Sequence, residues 1–147
     1  MPKILIVEDN RLNRDTLKGL FTRYFPSVTM EEASDGREAM QKVESFQPDL
    51  ILMDIRLPDI SGLELTKRIK LTNTKAKVLI LTGHHYPEYQ EAAARHGADG
   101  FLVKGGSSQE ILAMVESFFP SGLESPPRLK RNGVGEEPNV QDLDRRR

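Results

Sequence analysis

Five short apolar runs recur along the chain, at Ile4–Val7, Val28–Met30, Leu50–Met53, Val78–Leu81 and Phe101–Val103. The first, third and fourth are continuous rather than alternating, the pattern of strands buried on both faces of a parallel sheet. Between the runs the period turns helical. Leu17, Leu20, Phe21 and Tyr24 fall at i, i+3, i+4, i+7, and Ala39, Met40 and Val43 repeat the pattern over a shorter span. Tyr89, Ala92, Ala93 and His96 do so again. The segment after the third run is the faintest helix, with only Leu63, Thr66 and Ile69 or Lys70 offering a face. The last is the best punctuated. Ser107-Ser108-Gln109-Glu110 matches a capping box, Ile111, Leu112, Val115, Phe118 and Phe119 make the apolar stripe, and Pro120 and Gly122 end it.

Alternating strands and helices with continuous apolar strands predict an α/β fold, a doubly wound parallel sheet with right-handed crossovers. Such sheets carry their functional sites at the carboxyl ends of the strands. From Pro120 onward the pattern stops: PSGLESPPRLKRNGVGEEPNVQDLDRRR has four prolines and three glycines with little apolar content. The expectation is a folded domain over 1–119 and a disordered Pro/Gly/charged tail over 120–147. The tail is mildly basic, with Arg128, Lys130, Arg131 and Arg145 to Arg147 diluted by Glu136, Glu137, Asp142 and Asp144, which reads as a solvated segment.

Composition narrows the function classes. The chain of 147 residues is the size of one ordinary domain. A formal net charge of −1 with 29% charged residues lacks the basic excess of a dedicated nucleic-acid surface, so DNA is not an expected partner. With no cysteine, disulfides, Cys-zinc sites and thiol catalysis are excluded. The start, MPKILIVEDN, is too short in apolar residues for a secretory segment, and no run approaches a membrane span. A cytoplasmic protein that does not engage membranes is expected.

The strand ends carry the chemistry. Glu8 and Asp9 follow the first strand and Asp54 follows the third, in LILMDIRLPDISG. With strands one and three adjacent, the three carboxylates converge on one rim, where they repel unless a cation joins them. A hard divalent ion such as Mg²⁺, which takes oxygen ligands and retains several waters, is the natural partner. Asp9 and Asp54 are then direct ligands and Glu8 acts through water. Thr82 ends the fourth strand and Lys104 follows the fifth, supplying a hydroxyl and an ammonium suited to a phosphoryl oxygen. Carboxylates form aspartyl phosphates, which makes Asp54 the candidate acceptor.

These residues resemble a two-component response-regulator receiver domain of the CheY-like kind: Glu8-Asp9 after ILIV, Asp54 in LILMDIRLPDISG, Thr82 in VLILTG and Lys104 in GADGFLVKG. The resemblance spans residues 1 to about 119, and five strand-end positions in order make it specific. It implies a flavodoxin-like sheet of five strands in the order 2-1-3-4-5 with five helices. It implies a stand-alone receiver, a signalling domain and not an enzyme beyond its own phosphorylation and dephosphorylation. Asp54 takes a phosphoryl group from a sensor histidine kinase or histidine phosphotransfer protein with Mg²⁺ bound, and Arg56 supplies a backbone carbonyl to the metal. Pro58 and Gly62 match the loop that follows. Thr82 and Phe101 match the switch pair, and the helix-four, strand-five, helix-five face matches the contact for a downstream protein target. A phosphorylation-dependent homodimer through that face stays open. The chain departs from the family where proline often follows the lysine, having Gly105-Gly106 instead.

Simpler readings compete at each position. Asp9 alone reads as an N-cap, a role Asn10 can also fill. Thr82 alone reads as a strand-end hydroxyl bonded to backbone, and that is its expected state before phosphorylation. Phe101 also reads as ordinary core. The pair His84-His85 reads as solvent-facing histidines rather than a metal site. Two other functions are kept beside the first: a phosphorelay intermediate or phosphate sink without an output of its own, and a phosphatase, disfavoured because no second acid-base group stands beside Asp54.

Overall fold

A computed structural model describes residues 2–72, 74–84, 86–120 and 122–123. Strands and helices alternate throughout: β1 (Lys3–Val7), α1 (Arg11–Tyr24), β2 (Thr29–Ala33), α2 (Gly36–Phe46), β3 (Leu50–Met53), α3 (Gly62–Lys70), β4 (Lys77–Thr82), α4 (Pro87–Arg95), β5 (Gly100–Val103) and α5 (Ser108–Ser117). The strands form one parallel sheet in the order β2-β1-β3-β4-β5. The expected architecture and strand order are both found.

The three central strands explain the continuous apolar runs. Ile4, Leu5, Ile6, Leu50, Ile51, Val78, Leu79 and Ile80 are completely buried, because helices cover both faces of the sheet. Alternate side chains enter two cores. Leu5, Val7, Ile51, Met53, Val78 and Ile80 face the layer holding Ala39, Val43, Leu65 and Ile69 from α2 and α3. Ile4, Ile6, Leu50, Leu52, Leu79 and Leu81 face Leu17, Phe21 and Val115 from α1 and α5. Each such side chain contributes about 1.5–3 kcal/mol of transfer free energy, and this two-sided burial fixes the strand register on which the rim depends.

Four local readings change. The second strand is Thr29–Ala33 rather than Val28–Met30; it is an edge strand, so Glu31 and Glu32 are accommodated half-buried and paired with Lys42, Arg14 and Lys18 on the neighbouring helices. Tyr24 does not face the core: it is exposed, and Phe25, at the helix C-cap, stacks on Phe21 with centroids 6.0 Å apart. In α3 Thr66 and Ile69 are buried as expected and Leu63 packs against the core half-buried, but the fully buried leucine is Leu65, which the pattern leaves out. Thr66 is tolerated inside because its hydroxyl donates to the Gly62 carbonyl at 2.7 Å. In α4 only Ala93 is fully buried, so that helix is lightly seated.

The serine half of the α5 capping box forms, with the Ser107 hydroxyl accepting from the Glu110 N–H at 3.2 Å. Leu123 packs against the α1/α5 core, so apolar contact continues beyond residue 119. The expectation of a disordered tail otherwise falls on residues 121 and 124–147, which lie outside the described residues. No helix among the described residues is long and apolar enough to cross a membrane.

Candidate functional site

Because β1 and β3 are neighbours with Val7 opposite Met53, the residues that follow them emerge side by side. The ladder continues one step further: the Asp54 N–H donates to the Val7 carbonyl and the Glu8 N–H to the Ala33 carbonyl, each at 3.0 Å. Glu8 and Asp54 are therefore held by sheet hydrogen bonds rather than by loop conformation. Both are buried, at 3% and 9% exposure, whereas Asp9 is open to solvent. Carboxylate oxygens of Glu8, Asp9 and Asp54 lie within 4.8 Å of one another. The structure thus brings together the three acids singled out in the sequence.

Lys104 joins them from β5. Its backbone N–H donates to the Thr82 carbonyl at 2.6 Å, and its Nζ lies 2.5 Å from Glu8 Oε1 and 3.6 Å from Asp54 Oδ2. The other Glu8 oxygen accepts from the Asn10 N–H at 3.1 Å, so Glu8 is engaged at both oxygens. Asp54 is the less satisfied acid. Burial pushes its carboxyl up to about 6; the Lys104 ammonium works against that, the Glu8 charge adds to it, and a hydrogen bond from the Arg56 N–H opposes it. A buried acid reluctant to ionise beside two others is a site that lacks positive charge. The donor set, three carboxylates at a solvent-reached rim, fits a hard divalent cation.

The loop after Asp54 is tied at both ends. Gly62 donates to the Ile55 carbonyl at 2.7 Å, and a Cβ at Gly62 would run into the Asp54 carbonyl, so only glycine permits this approach. Arg56 forms a backbone bridge with Ser61, which caps α3 by accepting from the Leu63 N–H. Asp59 reaches across to α2, where its carboxylate accepts from the Gly36 and Arg37 N–H groups at 2.8 and 3.0 Å. These bonds, with the helix N-terminus, hold its pKa down. Nothing in the sequence pattern singled out Asp59; a Pro-Asp pair in a loop reads only as a turn signal.

Thr82 is fully buried at the end of β4, and its hydroxyl accepts from the His84 N–H at 3.2 Å, the strand-end bond expected of it. Phe101 is half-buried and packs against the α2/α3 core. His84 is not solvent-facing: it is half-buried and its ring stacks on Tyr86, whose own ring meets Tyr89 edge-on. His85 lies outside the described residues. Gly105 has φ +96°, a conformation closed to proline, which accounts for glycine where many such domains have Lys-Pro. Asn10 caps α1 through the Asn13 N–H at 2.9 Å, leaving Asp9 free of that role.

This rim on this sheet is the arrangement of a phosphorylation-controlled signalling domain, and comparison with known proteins agrees. The model of the response regulator receiver domain matches residues 4–116, and the chain belongs to that family. A transcriptional regulatory protein of Bacillus subtilis, LnrK, is 33% identical over 92% of this chain and 62% of its own length. The crystal structure of the response regulator TrrA of Thermotoga maritima in complex with Mg²⁺-BeF is 31% identical, with a TM-score of 0.72 over 80% of this chain and 99% of that one. The chemotaxis protein CheY4 of Vibrio cholerae is 28% identical, with a TM-score of 0.74 over 80% and 98%. The chain spans 50 to 62% of the length of several curated relatives it matches. It is a receiver domain of the two-component response-regulator class, a signalling domain of a family whose members are phosphorylated on aspartate with Mg²⁺.

Proposed function

We propose that Asp54 is the phosphoacceptor of this receiver and that Mg²⁺ is held by Asp9 and Asp54 directly, by Glu8 through water, and by the Arg56 backbone carbonyl. The observation that carries the reading is the convergence of three carboxylates within 4.8 Å at the carboxyl rim with one ammonium beside them. When bound, the ion neutralises the acids and the incoming phosphoryl oxygens. The chain's own residues do the rest. A phosphohistidine on a sensor kinase or phosphotransfer protein presents phosphorus to an Asp54 oxygen; the N–P bond breaks as the O–P bond forms, and the imidazole leaves with the bond's electron pair. Asp9, exposed, faces the incoming partner, while buried Glu8 keeps Lys104 aimed at the acceptor.

The phosphoryl group then competes with Glu8 for Lys104 and draws the Thr82 hydroxyl from its bond to the His84 N–H. Thr82 lies fully buried, so its movement vacates space that half-buried Phe101 can take. The reading makes the α4–β5–α5 face the contact for a protein target, since α4 and α5 each bury a single side chain completely and β5 buries none. A phosphoryl group shifts that face only through bonds that differ between the two arrangements, and Thr82 and Lys104 supply them. The folded domain over 1–119, a cytoplasmic setting and a protein rather than DNA partner for the domain itself belong to the same proposal.

Intact mass after incubation with Mg²⁺ and acetyl phosphate tests it. A single phosphoryl adduct on the wild type, absent in Asp54→Ala and in chelator, is expected, with circular dichroism confirming that the variant is folded. An adduct that persists in Asp54→Ala overturns the assignment.

A further inference from the structure

Arg14 stands where helix electrostatics disfavour it. It lies in the first turns of α1, which contain Arg11 and Arg14 and no acidic residue in the first turn, although a helix N-terminus favours negative charge. A residue that violates a local rule and is yet well ordered in partners invites a functional reading. Its side chain is only 15% exposed and the bonds of its guanidinium run toward the rim and the edge strand. Nη1 donates to the Glu8 carbonyl at 2.7 Å and the Asp9 carbonyl at 3.2 Å, and Nε donates to Glu32 Oε1 at 3.0 Å. Glu32 is itself held by Lys18, 2.6 Å from its other oxygen, and the two cations keep its carboxyl ionised, with its pKa lowered.

The location of those carbonyls matters. The β1–β2 ladder ends with Val7 opposite Ala33, and the Glu8 N–H makes its last bond. The next two carbonyls, Glu8 and Asp9, lie past the end of the sheet, and the guanidinium takes over where the ladder stops. Fixing two consecutive carbonyls fixes the peptide planes between them, and so the directions in which the Glu8 and Asp9 side chains leave the chain.

We infer that Arg14, anchored by Glu32, is the positioning residue for the acidic pair, holding Glu8 and Asp9 in the geometry that takes the divalent ion. The role rests on the metal reading above and adds a residue that touches neither metal nor phosphoryl group. Arg14 acts through backbone alone, so its loss weakens metal binding rather than the transfer step once metal is bound. Outer partners of ligand residues affect affinity by roughly 10- to 100-fold.

The test is calorimetric titration of Mg²⁺ into the full chain, with phosphorylation by acetyl phosphate followed across Mg²⁺ concentration. Arg14→Gln is expected to raise the Mg²⁺ dissociation constant roughly ten-fold and to leave the adduct rate at saturating Mg²⁺ within about two-fold. Glu32→Gln should shift affinity in the same direction by less. Arg14→Lys separates fork from charge, because an ammonium cannot brace two carbonyls and Glu32 together; full recovery of affinity by lysine overturns the positioning role. Unchanged affinity in Arg14→Gln, with any loss of thermal stability read separately in chelator, reduces Arg14 to an edge-strand ion pair and also overturns it. Absence of Mg²⁺ binding by the wild type removes the metal reading and this inference with it, whereas binding by the wild type and equally by Arg14→Gln removes this inference alone.

Discussion

The two halves of the rim are built differently. Glu8, Asp9 and Asp54 follow β1 and β3, strands whose side chains are almost wholly buried and whose ladders run on into the acids themselves. Thr82 ends an equally buried strand, but Lys104 follows β5, where every residue is only half-buried, and the chain then passes into exposed Gly105 and Gly106. The acids and Thr82 follow strands flanked on both sides in the sheet; Lys104 follows an edge strand flanked on one. Under the proposed assignment, a site so divided keeps the metal-binding acids fixed and leaves Lys104, the group offered to the phosphoryl oxygens, on the more lightly held edge.

The sharpest way to break that contrast is to compare equivalent truncations. Leu52→Ala in β3 should cost about 3–4 kcal/mol, while Leu102→Ala in β5 should cost about 1–2, because a half-buried side chain loses less transfer energy and leaves a site that can collapse. Equal losses in urea unfolding would mean that β5 is as rigidly seated as the centre. Next, Lys104→Ala strands Glu8 at 3% exposure without its ammonium, at a cost of about 3 kcal/mol, toward the low end because Lys104 is itself 23% exposed. Urea unfolding in chelator reads it, and near-neutral stability would show that Glu8 finds relief in water.

A third change should raise stability. The Asp54 carboxyl titrates near 6 in the folded chain and near its ordinary 3.8 when unfolded. Between those values the folded state binds more protons, so stability falls as pH rises from about 4 to 6 and stays low above. The penalty is on the order of 3 kcal/mol, the opposing Lys104 charge being already contained in the value of about 6. Asp54→Asn should recover about that amount at pH 7 in chelator and flatten the fall between pH 4 and 6. A wild-type stability that rises across that interval would contradict the burial argument. The smallest effect belongs to Gly105→Ala, about 1 kcal/mol for a side chain at φ +96°, with open space around it.

How much of this was legible in the sequence divides along the same line. The central strands announce themselves because burial on both faces leaves continuous Ile, Leu and Val, and with the strands placed the acids at their ends follow. Edge elements hide. Thr29–Ala33 carries two glutamates, which reads as polar chain until the partners Arg14, Lys18 and Lys42 are seen on adjacent helices. Phe25 in place of Tyr24 is a one-step error of helical phase, and Leu65 is missed beside the correctly placed Thr66 and Ile69; only packing resolves either. Asp59 and Arg14 could not be found at all by pattern. Their partners are backbone groups, N–H on α2 and carbonyls after β1, and backbone groups have no letter in the sequence.

The short bond between Lys104 and Glu8 joins residues from opposite ends of the domain. As the chain leaves the ribosome, β1, β2 and β3 are complete, with their helices, when Asp54 has emerged, and three adjacent strands can pair while β5 is still unmade. The acids are thus synthesised well before the lysine that balances them. Lys104, following the last strand, supplies the balancing charge only when β5 joins the edge of the sheet, so completing the sheet and neutralising its acidic rim are one event.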